Sequence, residues 1–186
     1  LKDRVLNVIP HASIYGLNPI DDWKSVEINL RDDINIRGIS PYIETEALIK
    51  SKSAVAGVLV NGVIASKDKS VSVIHEFMQT GNFEKIQTDN NIVIGRLLAR
   101  KLNVDVGDKI SLMLPDTSSS FAGYFPRSKV FNISGIFNIG SKDIDETLAY
   151  ISLENASILT GLKNQVHGFR LKFDDLFEAP YLVWQS

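Results

Sequence analysis

The sequence predicts an α+β fold, in which strands and helices are mixed along the chain without the strict alternation of a parallel α/β sheet. Three observations indicate this class. Residues 109–114 and 130–139 alternate between apolar and polar side chains with the period of a half-buried strand. Residues 96–102 have helical spacing and directly follow the apolar run at 92–94. No unit repeats at a fixed period, as a solenoid or propeller would require.

The composition is that of a globular domain with a sizeable core, since 44% of the 186 residues are apolar and 23% are charged. The formal net charge is −2 and the basic residues are scattered, so the basic footprint of a nucleic-acid binder is missing. The chain has no cysteine, which excludes disulfides, thiolate metal sites and a cysteine nucleophile. No apolar run approaches the ~20 residues that span a bilayer. Because the chain begins at Leu1, we expect it to be a segment of a longer protein.

The first half of the chain predicts one helix, three strands and a helical turn. Asp21 or Asp22 can cap a helix over residues 23–31, with Trp23, Val26 and Leu30 facing inward. The strands are predicted at residues 39–43, 46–49 and 54–63. Pro41 places the first strand at a sheet edge or makes it a strand start, because proline cannot donate to a ladder. A short helical turn is predicted over residues 71–78.

The second half is more regular. Gly95 makes a close turn between the strand at 92–94 and the helix at 96–102, and residues 105–108 form a turn before the strand at 109–114. The next strand is expected to present four apolar side chains on one face: Phe131, Ile133, Phe137 and Ile139. A short strand at 148–151 precedes a helix from Ser152 to Gly161, and the last strand carries Phe169, Leu171 and Phe173.

The sequence contains no catalytic constellation. The three histidines (His11, His75 and His167) are far apart, and no nucleophile elbow, Walker A loop or dinucleotide-binding turn is present. The strongest carboxylate cluster is Asp143-x-Asp145-Glu146, which lacks the ligand number and central glycine of a calcium loop. We interpret it as a solvated turn with a helix cap, and an enzyme with a carboxylate site there as the weaker alternative. No cofactor and no metal are expected.

One loop is too long and too apolar for a simple hairpin. Residues 115–127 join two well-patterned strands, whereas a hairpin needs only ~2–5 residues. Pro115 and Pro126 bound a flexible serine run, and the middle contains three aromatic residues: Phe121, Tyr124 and Phe125. The rings either fold back onto the sheet or form an arm that enters a partner's groove. Each ring fully buried on docking would contribute about 1.5–3 kcal/mol.

Four stretches resemble a known family. They are Arg4-Val-Leu-Asn-Val-Ile-Pro-His11, Pro41-Tyr-Ile43, the segment from Ile92 to Pro115, and Ile133-Ser-Gly-Ile136 with Ala149-Tyr-Ile151. Together they resemble the LolC/LolE membrane subunits of the lipoprotein-releasing ABC transporter, within the wider MacB-like periplasmic domain group. The resemblance extends over nearly the whole chain.

The resemblance implies a MacB-like periplasmic domain in two parts. A discontinuous, membrane-proximal (porter-like) α/β subdomain would comprise residues 1–48 and 146–186, and an inserted, mainly β subdomain, residues 49–145, would carry the long loop. The domain would lie on the periplasmic side of the inner membrane of a Gram-negative bacterium. Implied partners are the chaperone LolA, a lipoprotein substrate, the ATPase subunit LolD, and a second membrane subunit or a homodimer. The chain itself would not be an enzyme, because ATP is hydrolysed on the separate subunit, and it would bind no nucleic acid.

The resemblance also implies a docking site. In LolC the long loop is a hook that docks LolA, and the matching positions here are Pro115, Phe121, Gly123, Tyr124, Phe125, Pro126 and Arg127. Lys129 matches one position of LolC's basic pad beside the hook, but Ser111 and Ser128 stand where LolC has Arg and Gln. The stretches at 8–11 and 41–43 look more like LolE, which lacks the hook, so the mixture resembles a single-subunit form. The alternative function is a MacB-like domain that transmits ATP-driven motion without contacting LolA.

Overall fold

The computed structural model describes residues 12–33, 35–114 and 127–173, which form an α+β fold around one nine-stranded sheet. The strands are β1 Ala12–Ile20, β2 Ile36–Lys50, β3 Val55–Val63, β4 Met78–Gly81, β5 Asn91–Gly95, β6 Lys109–Leu114, β7 Arg127–Phe137, β8 Leu148–Ser152 and β9 Val166–Phe173. The helices are α1 Trp23–Arg31, α2 Ala65–Asp68, α3 Arg96–Leu102, α4 Lys142–Thr147 and α5 Leu153–Thr160, with 3₁₀ turns at Ile74–Phe77 and Phe83–Gln87.

Six of the strands close into a barrel. β2 pairs with β3 on one side and with β6 on the other, and the cycle is completed through β8, β5 and β7. Alternate side chains fill the interior, as the strand pattern predicts; they include Ile49, Val58, Ile94, Leu112 and Phe131. Leu98 and Leu102 of α3, which share a helix face, belong to the same core. Closure removes the exposed strand edges that an open sheet would leave.

The strands near the two chain ends form a layer beside the barrel, which we call the chain-end layer: β1, β9, α1 and the first half of β2. Its apolar cluster is separate from those of the barrel and is built on Ile39, Phe169 and Leu171. The three residues of α1 predicted to face inward pack against this cluster. The division into subdomains 1–48 with 146–186 and 49–145 remains a prediction, because a single sheet runs through both parts.

β2 is one 15-residue strand, not the two short strands predicted. Pro41 lies inside it at a position where only one side of the strand is paired. β9 pairs with β2 as far as Tyr42, and the pairing with β3 begins at that same residue. The missing proline N–H is therefore tolerated beside a locally unpaired edge, which is the physical condition that the edge prediction rested on.

The prediction of a single apolar face on β7 is wrong because the strand contains a bulge. Ile133 pairs with Ile92, whereas Gly135 pairs with Val93, so Ser134 is an extra residue. The bulge reverses the alternation. Phe131, Ile133 and Ile136 consequently lie in the barrel core, while Phe137 and Ile139 belong to a second cluster with Phe83 and Tyr150.

The predicted helix boundaries agree with the structure, whereas the predicted caps agree for α5 but not for α1. α1 begins after Asp22, but no side-chain bond caps it, and the Asp21 carboxylate instead accepts a hydrogen bond from Gln165. In α5 the Ser152 hydroxyl accepts the N–H of Asn155 at 3.1 Å, and Gly161 ends the helix in the left-handed region at φ 74°. The turn predicted at 71–78 is a 3₁₀ turn followed by the short strand β4.

Candidate partner-binding site

The stem of the long hairpin is fully paired. β6 and β7 pair antiparallel from Lys109 with Asn132 to Leu114 with Arg127, so the loop begins directly beyond the last pair. The described stem therefore fixes the two points on the barrel between which the loop runs. The predicted hook residues Pro115, Phe121, Gly123, Tyr124, Phe125 and Pro126 lie outside the described residues.

The loop leaves the barrel beside a gap in the pairing of β2. β9 and β6 lie on the same side of β2, but β9 pairs only as far as Tyr42 and β6 begins to pair at Leu48. Within the gap, the backbone N–H of Glu44 donates to the Nδ1 atom of His167 at 3.0 Å. A side chain thus takes the place of a strand partner there. The long loop consequently starts where the barrel meets the chain-end layer.

The two predicted basic contacts are directed toward α5. Lys129 lies two residues before the core residue Phe131 and therefore on the same side of the strand. Its Nζ atom donates to the Asn155 side-chain oxygen at 2.9 Å. The Arg127 guanidinium lies so close to Gly161 that a Cβ at that position would overlap it. Arg127 remains exposed, whereas Lys129 is half-buried. The two cations therefore line the side of the stem that faces the helix.

The opposite side of the stem forms what we call the outer face. Register places Leu48, Met113 and Ser128 side by side across β2, β6 and β7, and Lys50, Ser111 and Val130 in the next row. Both serines that replace charged or polar LolC residues point to this face, and Lys129 does not. The positions expected to form a basic pad are thus divided between two sides of the hairpin.

The outer face combines exposed apolar side chains with polar and basic ones. Leu48, Val55 and Val130 are 47%, 50% and 52% exposed, and Lys50 and Lys109 supply positive charge beside them. Exposed apolar patches of this kind mark interaction sites. This face is not among the predicted site residues, which lie in the loop and at Lys129. Alternation alone could have found it, because Val130 adjoins the inward-facing Phe131 and so has to point outward.

The acidic cluster has a structural role. Asp145 is 2% exposed, and its two carboxylate oxygens accept the backbone N–H groups of Ile139 at 2.8 Å and Gly140 at 2.9 Å. The interpretation as a solvated turn is therefore wrong for this residue, which fastens a loop to α4. Among residues 12–33, 35–114 and 127–173, no three His, Asp or Glu side chains are grouped so that they could hold a metal ion.

Across the part of the chain that the structure describes, no helix is long and apolar enough to span a membrane. The sequence matches no protein-family model. It is 31% identical over 181 residues to "Lipoprotein-releasing system transmembrane protein LolC" of Xylella fastidiosa, covering 96% of this chain and 43% of that protein. Identity to the LolC protein of Neisseria meningitidis is 33% over 188 residues, and identity to the LolE protein of Haemophilus influenzae is 30% over 188 residues; each match covers 98% of this chain and 45% of the relative.

The fold is shared with two solved structures. The extracellular domain of the noncanonic ABC-type transporter YknZ superposes with a TM-score of 0.57 at 9% identity, covering 91% of this chain and 78% of that one. The periplasmic region of MacB from Actinobacillus actinomycetemcomitans gives a TM-score of 0.54 at 10% identity, covering 87% and 67%. The chain spans less than half the length of the relatives that it matches in sequence. It is a homologue of the LolC/LolE transmembrane proteins over that segment, with the fold of a MacB-like periplasmic domain.

Proposed function

We propose that this chain is the periplasmic part of a membrane subunit of a lipoprotein-releasing ABC transporter. The homology to LolC and LolE over nearly all of the chain carries the proposal. The fold adds support, because Ala12 pairs with Leu171 and Ile36 pairs with Phe173. The two outermost described strands therefore end side by side at one end of the sheet. This arrangement suits a domain held between two membrane segments.

Within this role, the hairpin of β6 and β7 docks the chaperone LolA, which then receives an outer-membrane lipoprotein. The paired stem and the exposed apolar side chains of the outer face support this part of the proposal. Leu48, Val55 and Val130 are each about half exposed, so completing their burial would contribute about 1 kcal/mol per side chain. Three such contributions correspond to roughly a 100-fold gain in affinity, before any contribution of the loop rings.

Titration calorimetry with purified LolA tests docking. Replacing residues 116–126 by Asn-Gly keeps the hairpin closed and removes the hook. We expect binding to the unchanged chain, no binding after this replacement, and at least 10-fold weaker binding for Val130→Asp. Val106→Asp is the matched control, because Val106 is 42% exposed at the other end of β6. Equal affinity of the unchanged chain, the loop replacement and Val130→Asp would contradict docking at this hairpin.

The remaining partners follow from the same proposal. ATP is hydrolysed on a separate subunit of the LolD type, and this chain is not itself an enzyme. The similar identities to LolC and LolE support a single type of membrane subunit that forms a homodimer. Purification of the intact parent complex tests this point. Recovery of one membrane subunit and one ATPase is expected, and a second membrane subunit would contradict the homodimer.

The alternative is a MacB-like domain that transmits ATP-driven motion to another partner without contacting LolA. The shared fold with the MacB periplasmic region favours it, since that likeness does not depend on the hook. The calorimetric experiment separates the two functions. Absence of LolA binding by the unchanged chain, with the fold intact by circular dichroism, would favour the alternative.

A further inference from the structure

The contact between the barrel and the chain-end layer contains several buried polar residues. The apolar cluster of the chain-end layer is separate from the two clusters of the barrel, although Leu153 packs against both it and the larger barrel cluster. Several buried polar residues lie on the elements that meet at this junction: Glu27, Asn61, Asp68, Ser72 and Arg170. Buried polar groups stabilise a contact only when each finds a partner, so such a junction separates more readily than an apolar one.

The short helix α2 is at the centre of the junction, and Lys67 ties it to α1. The Lys67 ammonium contacts both carboxylate oxygens of Glu27, at 2.7 and 2.6 Å, and lies 5.4 Å from the centre of the Trp23 ring. Arg31 also donates to the same carboxylate, at 2.6 Å. Glu27 is buried and the two cations hold its pKa below its usual value, although burial opposes them. Lys67 is thus a firm link from α2 to the chain-end layer.

Asp68, the next residue, is not satisfied. It is 1% exposed, and its Oδ1 atom has no hydrogen-bond partner among the described residues. The buried cation whose charge acts on Asp68, Arg170 of β9, already donates to Glu44 at 2.9 Å and to Asn61. Burial raises the pKa of Asp68 to about 6, and Arg170 offsets this only in part. The ionised carboxylate therefore opposes closure of the junction around it.

We propose that α2 is a proton-sensitive latch between the barrel and the chain-end layer, closed most firmly when the Asp68 carboxyl is neutral and loosened when it ionises. Opening hydrates the carboxylate. A raised folded-state pKa means that the stabilisation is present below the unfolded value of 3.8 and is lost as the pH rises through about 6. From these two values, the opening equilibrium constant should rise roughly 30-fold between pH 4.5 and pH 7.5.

Other charged groups around Asp68 do not reproduce this signature. Burial raises the pKa of both Tyr42 and Tyr150, so neither tyrosine titrates in this range. The Glu44 carboxylate accepts a hydrogen bond from Arg170, and the Glu44 backbone N–H donates to His167. Burial lowers the pKa values of His75 and His167, and each would gain charge as the pH falls. Their protonation favours opening at acid pH, which is the opposite sign.

Amide hydrogen exchange of the 186-residue chain tests the latch. The reporters are the amides of residues 68–72, which are hydrogen-bonded within and just after α2, and the amides of β5 in the barrel are the reference. After correction for intrinsic rates, the opening constant of α2 should rise roughly 30-fold from pH 4.5 to pH 7.5 relative to β5. Asp68→Asn should remove this rise. Lys67→Met should loosen α2 at both pH values and keep the rise, because Asp68 is unchanged and the buried Glu27 that loses Lys67 also favours opening when it is ionised.

Three results would overturn the latch. The first is a reporter whose pH dependence matches that of β5, since the opening would then be global. The second is an unchanged pH dependence in Asp68→Asn, since another group would then be responsible. The third is a loss of the pH dependence in Lys67→Met. None of these measurements involves LolA, so the latch and the docking proposal can fail independently.

Discussion

Replacing Asp145 with asparagine tests whether the acidic cluster is structural. The side chain is 2% exposed, and its two oxygens accept two backbone N–H groups, those of Ile139 and Gly140. Asparagine keeps one acceptor oxygen and places an NH₂ group against the other N–H. One charge-assisted bond is therefore lost, and a buried donor is left without an acceptor. Such bonds contribute about 1.5–3 kcal/mol each, so we expect a loss of about 3 kcal/mol of unfolding free energy.

Urea denaturation monitored by circular dichroism measures this loss. For a chain of this size the dependence of unfolding free energy on urea lies near the upper part of the range of about 1–3 kcal/mol/M. The midpoint of Asp145→Asn should therefore fall by roughly 1–1.5 M. Asp143→Asn is the matched control, because Asp143 lies in the first turn of the same helix but its side chain is exposed. It should shift the midpoint by less than about 0.5 M, from the helix-dipole effect alone.

An unchanged midpoint in Asp145→Asn would refute the structural assignment. It would mean that the two backbone N–H groups find other acceptors, or that their hydrogen bonds to the carboxylate contribute little to the unfolding free energy. A lowered midpoint for both variants by the same amount would implicate net charge instead of the specific bonds. Only the expected pattern, with a large loss for one aspartate and a small loss for its neighbour, assigns the cluster to folding.

Two further changes follow from packing and protonation. Gly62→Ala should destabilise the chain by about 1–3 kcal/mol in the same denaturation assay, because a Cβ on Gly62 would overlap Ala156 of α5; Gly57→Ala on the same strand meets open space and should change stability little. Burial lowers the pKa of His167, so its stabilisation is present above pH 6.5 and is lost as the pH falls through the folded-state value. His167→Asn offers a side-chain oxygen to the Glu44 N–H and should remove that acid-side loss from the midpoint-versus-pH curve.

The sequence predicts most of this fold because its strands and helices are patterned locally. Residues 96–102 form a helix and 109–114 a strand with the stated boundaries, since apolar periodicity, Gly95 and the turn at 105–108 all agree. The failures are non-local. Gly135, which follows Ser134, is compatible with a bulge but does not fix its register, which is set by pairing with β5. Closure of the barrel depends on β2 reaching both β3 and β6.

The candidate site divides in the same way. The hairpin stem and the outward direction of Val130 follow from alternation, so this surface is accessible to sequence reasoning. The direction of Lys129 toward Asn155 is not, because the two residues are 26 positions apart and their contact depends on how α5 packs on the barrel. A pattern match at Lys129 therefore identifies a residue but not the surface it serves.

The position of the hairpin relates the two proposals to each other. Arg127, the last residue of the stem, lies against Gly161, which ends α5 and leads into β9 of the chain-end layer. In the gap in β2 beside the loop, the backbone N–H of Glu44 donates a hydrogen bond to His167, which lies on β9. Movement of β9 away from the barrel would break the His167 contact beside the base of the loop, whereas the Arg127 contact is with α5, whose Ala156 and Leu159 lie in the barrel core. A latch at α2 would in this way alter how the loop is held, so docking and separation of the layers need not be independent in the parent complex. Measuring LolA affinity for Asp68→Asn at pH 7.5 decides the point, because coupling requires a changed affinity although Asp68 is remote in sequence from the hairpin.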